Sequence, residues 1–249
     1  MKKLIEFLRV NINSIHIKTA VLLIFILFLT GSDLIVKQIV YKKIKYKDFE
    51  IIPKVFMFHY VTNDDIGFSA LRWLGKYLDL PKKISKKRYE KIINKIDQPY
   101  KKDFISNYYK IDNTGKYYIL DKSIIENQYE KNFIMHIFSE AGVRTPKWIF
   151  LCFLQGFATL LVIFFYYKSK LIKHIMPFAV IIGGALGNVI DRIIRGYVVD
   201  FIYVYLDFIP FDIFHPWPIF NLADIYTVIG TAILFIIFLF FTKEPKEEE

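Results

Sequence analysis

The stretch GGALGNVIDRIIRGYVVDFI, Gly183 to Ile202, begins as the tail of an apolar segment and ends with Asp191, Arg192, Arg195 and Asp200. Ionisable groups within or at the ends of a membrane-spanning helix are costly unless paired or hydrated, so each is a candidate for function. Asn188 and Asp191 share a helix face at i and i+3, and Arg192 extends that face at i+4. The later FNLAD brings Asn221 and Asp224 to the start of another apolar block. Three acids, two amides and an arginine are thereby expected at one depth on one face of a membrane. In the first apolar block, SDLIVKQ sets Asp33 and Lys37 at i and i+4, able to pair across one helix face. A salt bridge that simply fixes the helix is the structural alternative for that pair.

Carboxylates are the groups left to do chemistry. The five histidines are scattered without paired spacing, and the single Cys152 sits in an apolar block. No metal site and no cofactor are therefore expected. Ser32, Ser69 and Ser85 lack a glycine elbow or a histidine partner in sequence. When two carboxyls share a partly buried site, repulsion and desolvation keep one protonated while the other is ionised. The ionised one can take a proton from water attacking an amide carbonyl. The protonated one can polarise the carbonyl oxygen or protonate the leaving nitrogen. That is aspartic-protease chemistry, and spacing alone leaves open which acids perform it.

The elements that must position these groups follow from composition. Of 249 residues, 54% are hydrophobic and 23% charged, with a mean hydropathy of +0.32, so the apolar residues must be concentrated in blocks. That pattern belongs to a membrane protein with a polar part. The formal charge of +10 suits anionic headgroups and membrane topology better than nucleic acid, which is not expected as a partner. Four blocks approach the roughly 20 residues of a spanning helix: Thr19 to Val40, Trp148 to Tyr167, Ile175 to Ile194 and Leu222 to Phe241. Four crossings return both termini to one side. The basic N-terminus and the link YYKSKLIKH mark that side as cytoplasmic, while the long segment from Tyr41 to Lys147 is exported.

The expected organisation is a cytoplasmic N-terminus and first crossing over 1–40, an external segment over 41–147, and three further crossings with the acids over 148–249. Within the external segment, VFMFHYVTN alternates as a strand or hairpin, PKKISKKRYEKIIN from Pro81 to Asn94 reads as a basic helix, and DNTGKYYIL reads as a turn entering a short strand. The KEPKEEE tail has the composition of a disordered segment.

GGALGNVIDRIIRGYVVDF and FNLADIYTVIG closely resemble the two signature blocks of the bacterial lipoprotein signal peptidases, the type II signal peptidases. DLIVK and TNDDIGFS resemble the weaker first two blocks. The resemblance implies a four-helix membrane fold with an external β-cradle, here near 50–74, and catalytic aspartates at Asp200 and Asp224. It further implies that Asn63, Asn188, Arg192 and Asn221 line or support the site. Asp191 then reads as structural, pairing with Arg192 or orienting the site. The implied substrate is an exported lipoprotein precursor whose cysteine already carries diacylglycerol, cut on the amino side of that cysteine at the outer face of the bacterial cytoplasmic membrane. Membrane lipids are the other expected partners. Four features depart from the pattern: Asp65 stands at the usual glycine position, Ile225 follows Asp224 where a small hydroxyl residue is usual, the link between the catalytic acids is long, and a polar insert occupies about 75–145.

A proton-coupled transporter or flippase also places aspartates and arginines in membrane helices, but buries them near mid-membrane. A presenilin-like protease lacks support, since GGALGN carries no acid in a G-x-G-D pattern. A purely structural membrane protein requires three acids to recur by accident beside asparagine and arginine.

Overall fold

The computed structural model describes residues 10–45, 47–63, 82–96, 98–121, 130, 133–134, 137–138, 140–143, 146–205 and 217–241. The elements in chain order are α1 (Ile15–Lys43), β1 (Phe49–Ile52), β2 (Phe56–Asn63), β3 (Lys83–Ser85), α2 (Lys86–Lys95), α3 (Pro99–Tyr108), β4 (Tyr109–Ile111), β5 (Tyr117–Leu120), α4 (Pro146–Lys168), α5 (Ile172–Arg195), β6 (Val198–Val204) and α6 (Leu222–Phe241). Helices α1, α4, α5 and α6 are each long and apolar enough to cross a membrane. The chain is thus an integral membrane protein of mostly helical fold with small antiparallel sheets. It divides into two compact units, one of Met1–Val61, Leu154–Ile190 and Asp200–Glu249, the other of Thr62–Phe153 and Asp191–Val199.

In the first unit, Leu27, Phe28, Leu160, Phe164, Phe235 and Phe238 stay exposed, as side chains facing lipid do. Lipid is as apolar as these residues, so the helices associate through close packing and hydrogen bonds rather than through transfer from water. Leu22, Tyr166, Ile175, Ala179 and Ile182 form the buried cluster. The Tyr166 hydroxyl donates to the Lys18 carbonyl at 2.5 Å. The Lys18 ammonium donates to the carbonyls of Tyr167 and Ser169, at 2.9 and 2.5 Å, where the end of α4 leaves backbone acceptors without helical partners. Within α1, Ile26–Thr30 is a π-helical turn. This wider turn re-aims the faces of the helix beyond it, just ahead of Asp33. Thr30, at its end, donates to the Gly183 carbonyl at 2.6 Å.

The VFMFHYVTN expectation is met by β2, which pairs antiparallel with β1 in the register Phe49↔Phe58 and Glu50↔Met57, with an irregularity before Ile52↔Phe56. The third strand of this sheet is β6, next to β2. The Phe58 and Phe201 rings pack with centroids 5.9 Å apart. That YVVDFI becomes a strand of this sheet was not legible from the sequence, because its partner lies far away in the chain.

The second unit contains the polar insert. Its strands run in the order β3-β5-β4, and Ile84, Tyr89, Ile92, Ile105, Tyr109 and Leu120 share a buried core there. The insert therefore holds a hydrophobic core of its own. The Pro81–Asn94 helix is corrected: Lys83–Ser85 is a strand, and the helix starts at Lys86. Ser85 is its N-cap, in extended conformation, accepting from the Arg88 N–H. The DNTGKYYIL expectation holds, with a turn after Asp112 leading into β5. Asp65, most of TNDDIGFS, much of the long link between β6 and α6, and the KEPKEEE tail lie outside the described residues.

Candidate active site

The first turn of α6 sets up the site. Asn221 precedes the helix and Asp224 is its third residue. The Asn221 Oδ1 accepts from the Asp224 N–H at 3.1 Å, and the Asp224 Oδ2 accepts from the Asn221 N–H at 3.1 Å. This reciprocal exchange is a capping box built from asparagine and aspartate, and it satisfies two backbone donors at the helix start. A further donor of that first turn, the Ala223 N–H, reaches the Asp33 Oδ1 of α1 at 3.0 Å. Asp33 therefore caps α6 from another helix.

Asp200 arrives from β6. The N–H groups of Phe201 and Ile202 donate to the Phe220 carbonyl at 3.0 and 2.8 Å, and the Phe220 N–H returns to the Ile202 carbonyl at 3.1 Å. These bonds pin the strand to the residue just before Asn221. The Asn221 Nδ2 then donates to the Asp200 Oδ1 at 2.6 Å and to the Asn188 Oδ1 at 3.1 Å.

Asn188 of α5 joins the remaining groups. Its Nδ2 donates to the Asp224 Oδ1 at 2.8 Å, and its Oδ1 also accepts from the Lys37 ammonium at 2.8 Å. Lys37 in turn lies 2.7 Å from the Asp33 Oδ2, with both side chains fully buried. Asp33, Lys37, Asn188, Asp200, Asn221 and Asp224 thus form one hydrogen-bonded network. Three carboxyls and one ammonium share the network, and the amides hold Asp200 and Asp224. Asp200 is buried, while Asp224 keeps partial exposure. Among the described residues, no three His, Cys, Asp or Glu side chains are placed to hold a metal ion.

The glycines of GGALG make this proximity possible. A Cβ on Gly187 would lie 2.5 Å from the Asp33 Oδ2, and one on Gly184 would lie 2.5 Å from the Ala223 carbonyl oxygen. Small residues let α5 approach α1 and α6 closely enough for the polar network to close. The sequence showed the glycines, but their role opposite Asp33 appears only in the assembled bundle.

The other candidates lie in the second unit. The Asp191 Oδ2 accepts from the Val199 N–H at 3.2 Å, and its Oδ1 lies 3.3 Å from the Arg195 guanidinium. That ties the end of α5 to the start of β6. Arg195, at i+4 from Asp191, is one of its ion partners. Spacing already carried that signal. The Arg192 carbonyl accepts from the Trp148 indole N–H at 2.6 Å, and its side chain is buried. Asn63 is half-buried at the end of β2.

The family model described as signal peptidase (SPase) II matches residues 92–241, more than half of the chain. The chain is 45% identical over 76 residues to a lipoprotein signal peptidase of Xanthomonas euvesicatoria pv. vesicatoria (strain 85-10), covering 30% of this chain and 40% of that one. It is 40% identical over 99 residues to a lipoprotein signal peptidase of Acinetobacter baumannii (strain ATCC 17978), covering 39% of this chain and 53% of the relative. The matched stretch thus spans about half or less of these curated relatives. Over nearly its whole length the chain has the fold of a bacterial membrane enzyme solved by the in meso method at 2.3 Å resolution, with a TM-score of 0.54 at 18% identity, covering 96% of this chain and 97% of that one. A second such structure, at 1.9 Å resolution, gives a TM-score of 0.51 at 19% identity.

Proposed function

The chain belongs to the signal peptidase II family, and we propose that it is a membrane aspartic endopeptidase that removes signal peptides from diacylglyceryl-modified prolipoproteins. The observation that carries this reading is the pair of amides joining Asp200 to Asp224 through Asn221 and Asn188. An aspartic mechanism needs two carboxyls that differ in protonation yet stay fixed in orientation. Each amide holds an aspartate oxygen without itself titrating, so the pair can exchange a proton with substrate while its geometry is kept.

In the proposed reaction, the ionised aspartate of the dyad takes a proton from water as the water oxygen bonds to the scissile carbonyl carbon. The protonated aspartate gives its proton to the carbonyl oxygen. As the tetrahedral intermediate collapses, the C–N bond breaks, the nitrogen leaves with the proton of the aspartate that had taken it from water, and one hydroxyl of the intermediate returns its proton to the other aspartate. The products are a signal peptide ending in a carboxyl group and a lipoprotein whose lipidated cysteine has a free amine. Lys37 offsets part of the negative charge that three neighbouring carboxyls would otherwise concentrate. Asn63 and Arg192 are assigned to substrate contact, and Asp191 to support of the segment that delivers Asp200.

The basic N-terminus and α4–α5 link support a topology with both termini in the cytoplasm and the dyad at the outer face. A lipid-anchored peptide bond must be met at the bilayer edge, and its acyl chains enter between helices to bring that bond to the dyad. The test is incubation of the purified protein with a prolipoprotein before and after diacylglyceryl modification. Release of an intact signal peptide from the modified precursor, with far slower release from the unmodified one, is expected. Equal rates on both, or no release from either, would overturn the assignment.

A further inference from the structure

A groove of about 420 Å³ in the second unit runs along α2, with Lys87, Arg88, Lys91 and Lys95 on one side and Ala141–Val143 on the other. The four cations occupy one face of α2, and the pairs Lys87/Lys91 and Lys91/Lys95 repel one another at i, i+4. None of the ion pairs Asp33–Lys37, Asp48–His59, Glu140–Lys101 and Asp191–Arg195 involves any of the four. Glu140, the acid beside the groove wall, is already held by Lys101 at 2.5 Å. The groove is thus left strongly positive.

Its shape narrows the ligand further. Gly142 has φ +73° and ends a helical turn, with the Val143 N–H donating back to the Phe138 carbonyl at 2.8 Å. Because Gly142 has no side chain, the Lys95 ammonium can lie over the turn, 3.4 Å from where a Cβ would sit. The Ser85 hydroxyl accepts from the Arg88 N–H at 3.3 Å and keeps its own hydrogen to donate. Ile92, Ala141 and Val143 supply apolar lining beneath the charges. Cations and a hydroxyl above an apolar floor match a phosphate attached to a small apolar body better than a bare ion.

We propose that this groove binds the phosphate headgroup of an anionic phospholipid. The chain is held by four membrane-spanning helices, so headgroup phosphates are the anions present at the highest effective concentration. The site does not depend on the peptidase reading, and its test involves no cleavage. It also differs from a general lysine surface: Lys83, in the same basic run, is engaged over the Tyr117 ring at 4.0 Å and lines no part of the groove.

The test is hydrogen–deuterium exchange on the full-length protein in uncharged detergent micelles, titrated with dihexanoyl phosphatidylglycerol, dihexanoyl phosphatidylcholine or sodium phosphate. Phosphatidylglycerol is expected to slow exchange over 86–95 and 141–143, with the other two much weaker at equal concentration. Each cation near anionic lipid is worth about fivefold, so K91Q/K95Q should weaken apparent affinity about 25-fold. If that variant loses baseline protection in β5, K91Q and K95Q singly carry the test at about fivefold each. Equal protection by phosphatidylcholine would assign the effect to the apolar floor and overturn the proposal. Equal protection by sodium phosphate would overturn the lipid source. Protection unchanged by the substitutions, or absent with every ligand, would overturn the site itself.

Discussion

Lysines sit in both units of this protein under opposite rules. Lys37 in the membrane unit is fully buried and bonded to Asp33 and Asn188. The cations of α2 in the insert are exposed around an apolar core and share no acid among the described residues. In a lipid-facing bundle, a charge persists only where partners are built around it. In a water-facing domain, the apolar side chains carry the stability and charge is free for recognition. Identical residue types therefore mean different things in the two regions.

The largest expected effect concerns the network's working groups. Asp200→Asn and Asp224→Asn should each lower cleavage of a modified prolipoprotein by at least about 10²- to 10⁴-fold, because an amide can neither accept nor supply the proton. Membrane yield should be kept. Near-wild-type turnover in either variant would disprove the dyad. Asp191→Asn should reduce yield as much as activity, since its bonds are to Val199 and Arg195.

Stability should separate the two units next. Lys37→Met leaves Asp33 buried without its counter-charge and should cost about 3–5 kcal/mol, with part regained in the Asp33→Asn/Lys37→Met double variant. Ile105→Ala, at a fully buried position of the insert core, should cost about 2–5 kcal/mol through a cavity. Thermal unfolding followed by size-exclusion chromatography and limited proteolysis would report both. Lys37→Met should diminish the detergent-stable bundle, whereas Ile105→Ala should expose sites within 82–121. A double Asp33→Asn/Lys37→Met variant no better than Lys37→Met alone would break the contrast.

The smallest effect lies in the turn between β4 and β5. The Thr114 hydroxyl, followed by the backbone N–H groups of Tyr117, Lys116 and Thr114, holds the Asp112 carboxyl below its ordinary range. Its folded pKa is depressed, so its contribution is complete above the ordinary carboxylate value and is lost as pH falls through the folded one. Relative to the intrinsic rate at each pH, exchange at the Thr114, Lys116 and Tyr117 amides should quicken across that acidic window. In Asp112→Ala it should be faster at neutral pH and show no such step.

Much of this was legible in the chain itself. Runs of about 20 apolar residues can span a bilayer only as helices, because no water is present there to satisfy an open backbone. The four crossings were therefore determined locally, as was the Asp33–Lys37 pair, which needs only the i, i+4 geometry of one helix. The acids and amides were visible because charge in such segments is costly enough to stand out.

Other features were beyond any local reading. The three- and four-residue strands β3, β4 and β5 are too short to show a period, and β3 was hidden inside what reads as a basic helix. The insert's core joins Ile84, Ile105 and Leu120, residues that no single element brings together. What the sequence determined alone was which groups are present and which segments are helical, because those depend on the solvent each residue needs and on bonds within one helix. Tertiary structure decided that Asp33 caps α6 and that Asn188 and Asn221 bind Asp224 and Asp200 into one network. Each of those bonds joins groups on different segments, and it exists only where glycines and a π-helical turn bring the backbones close enough.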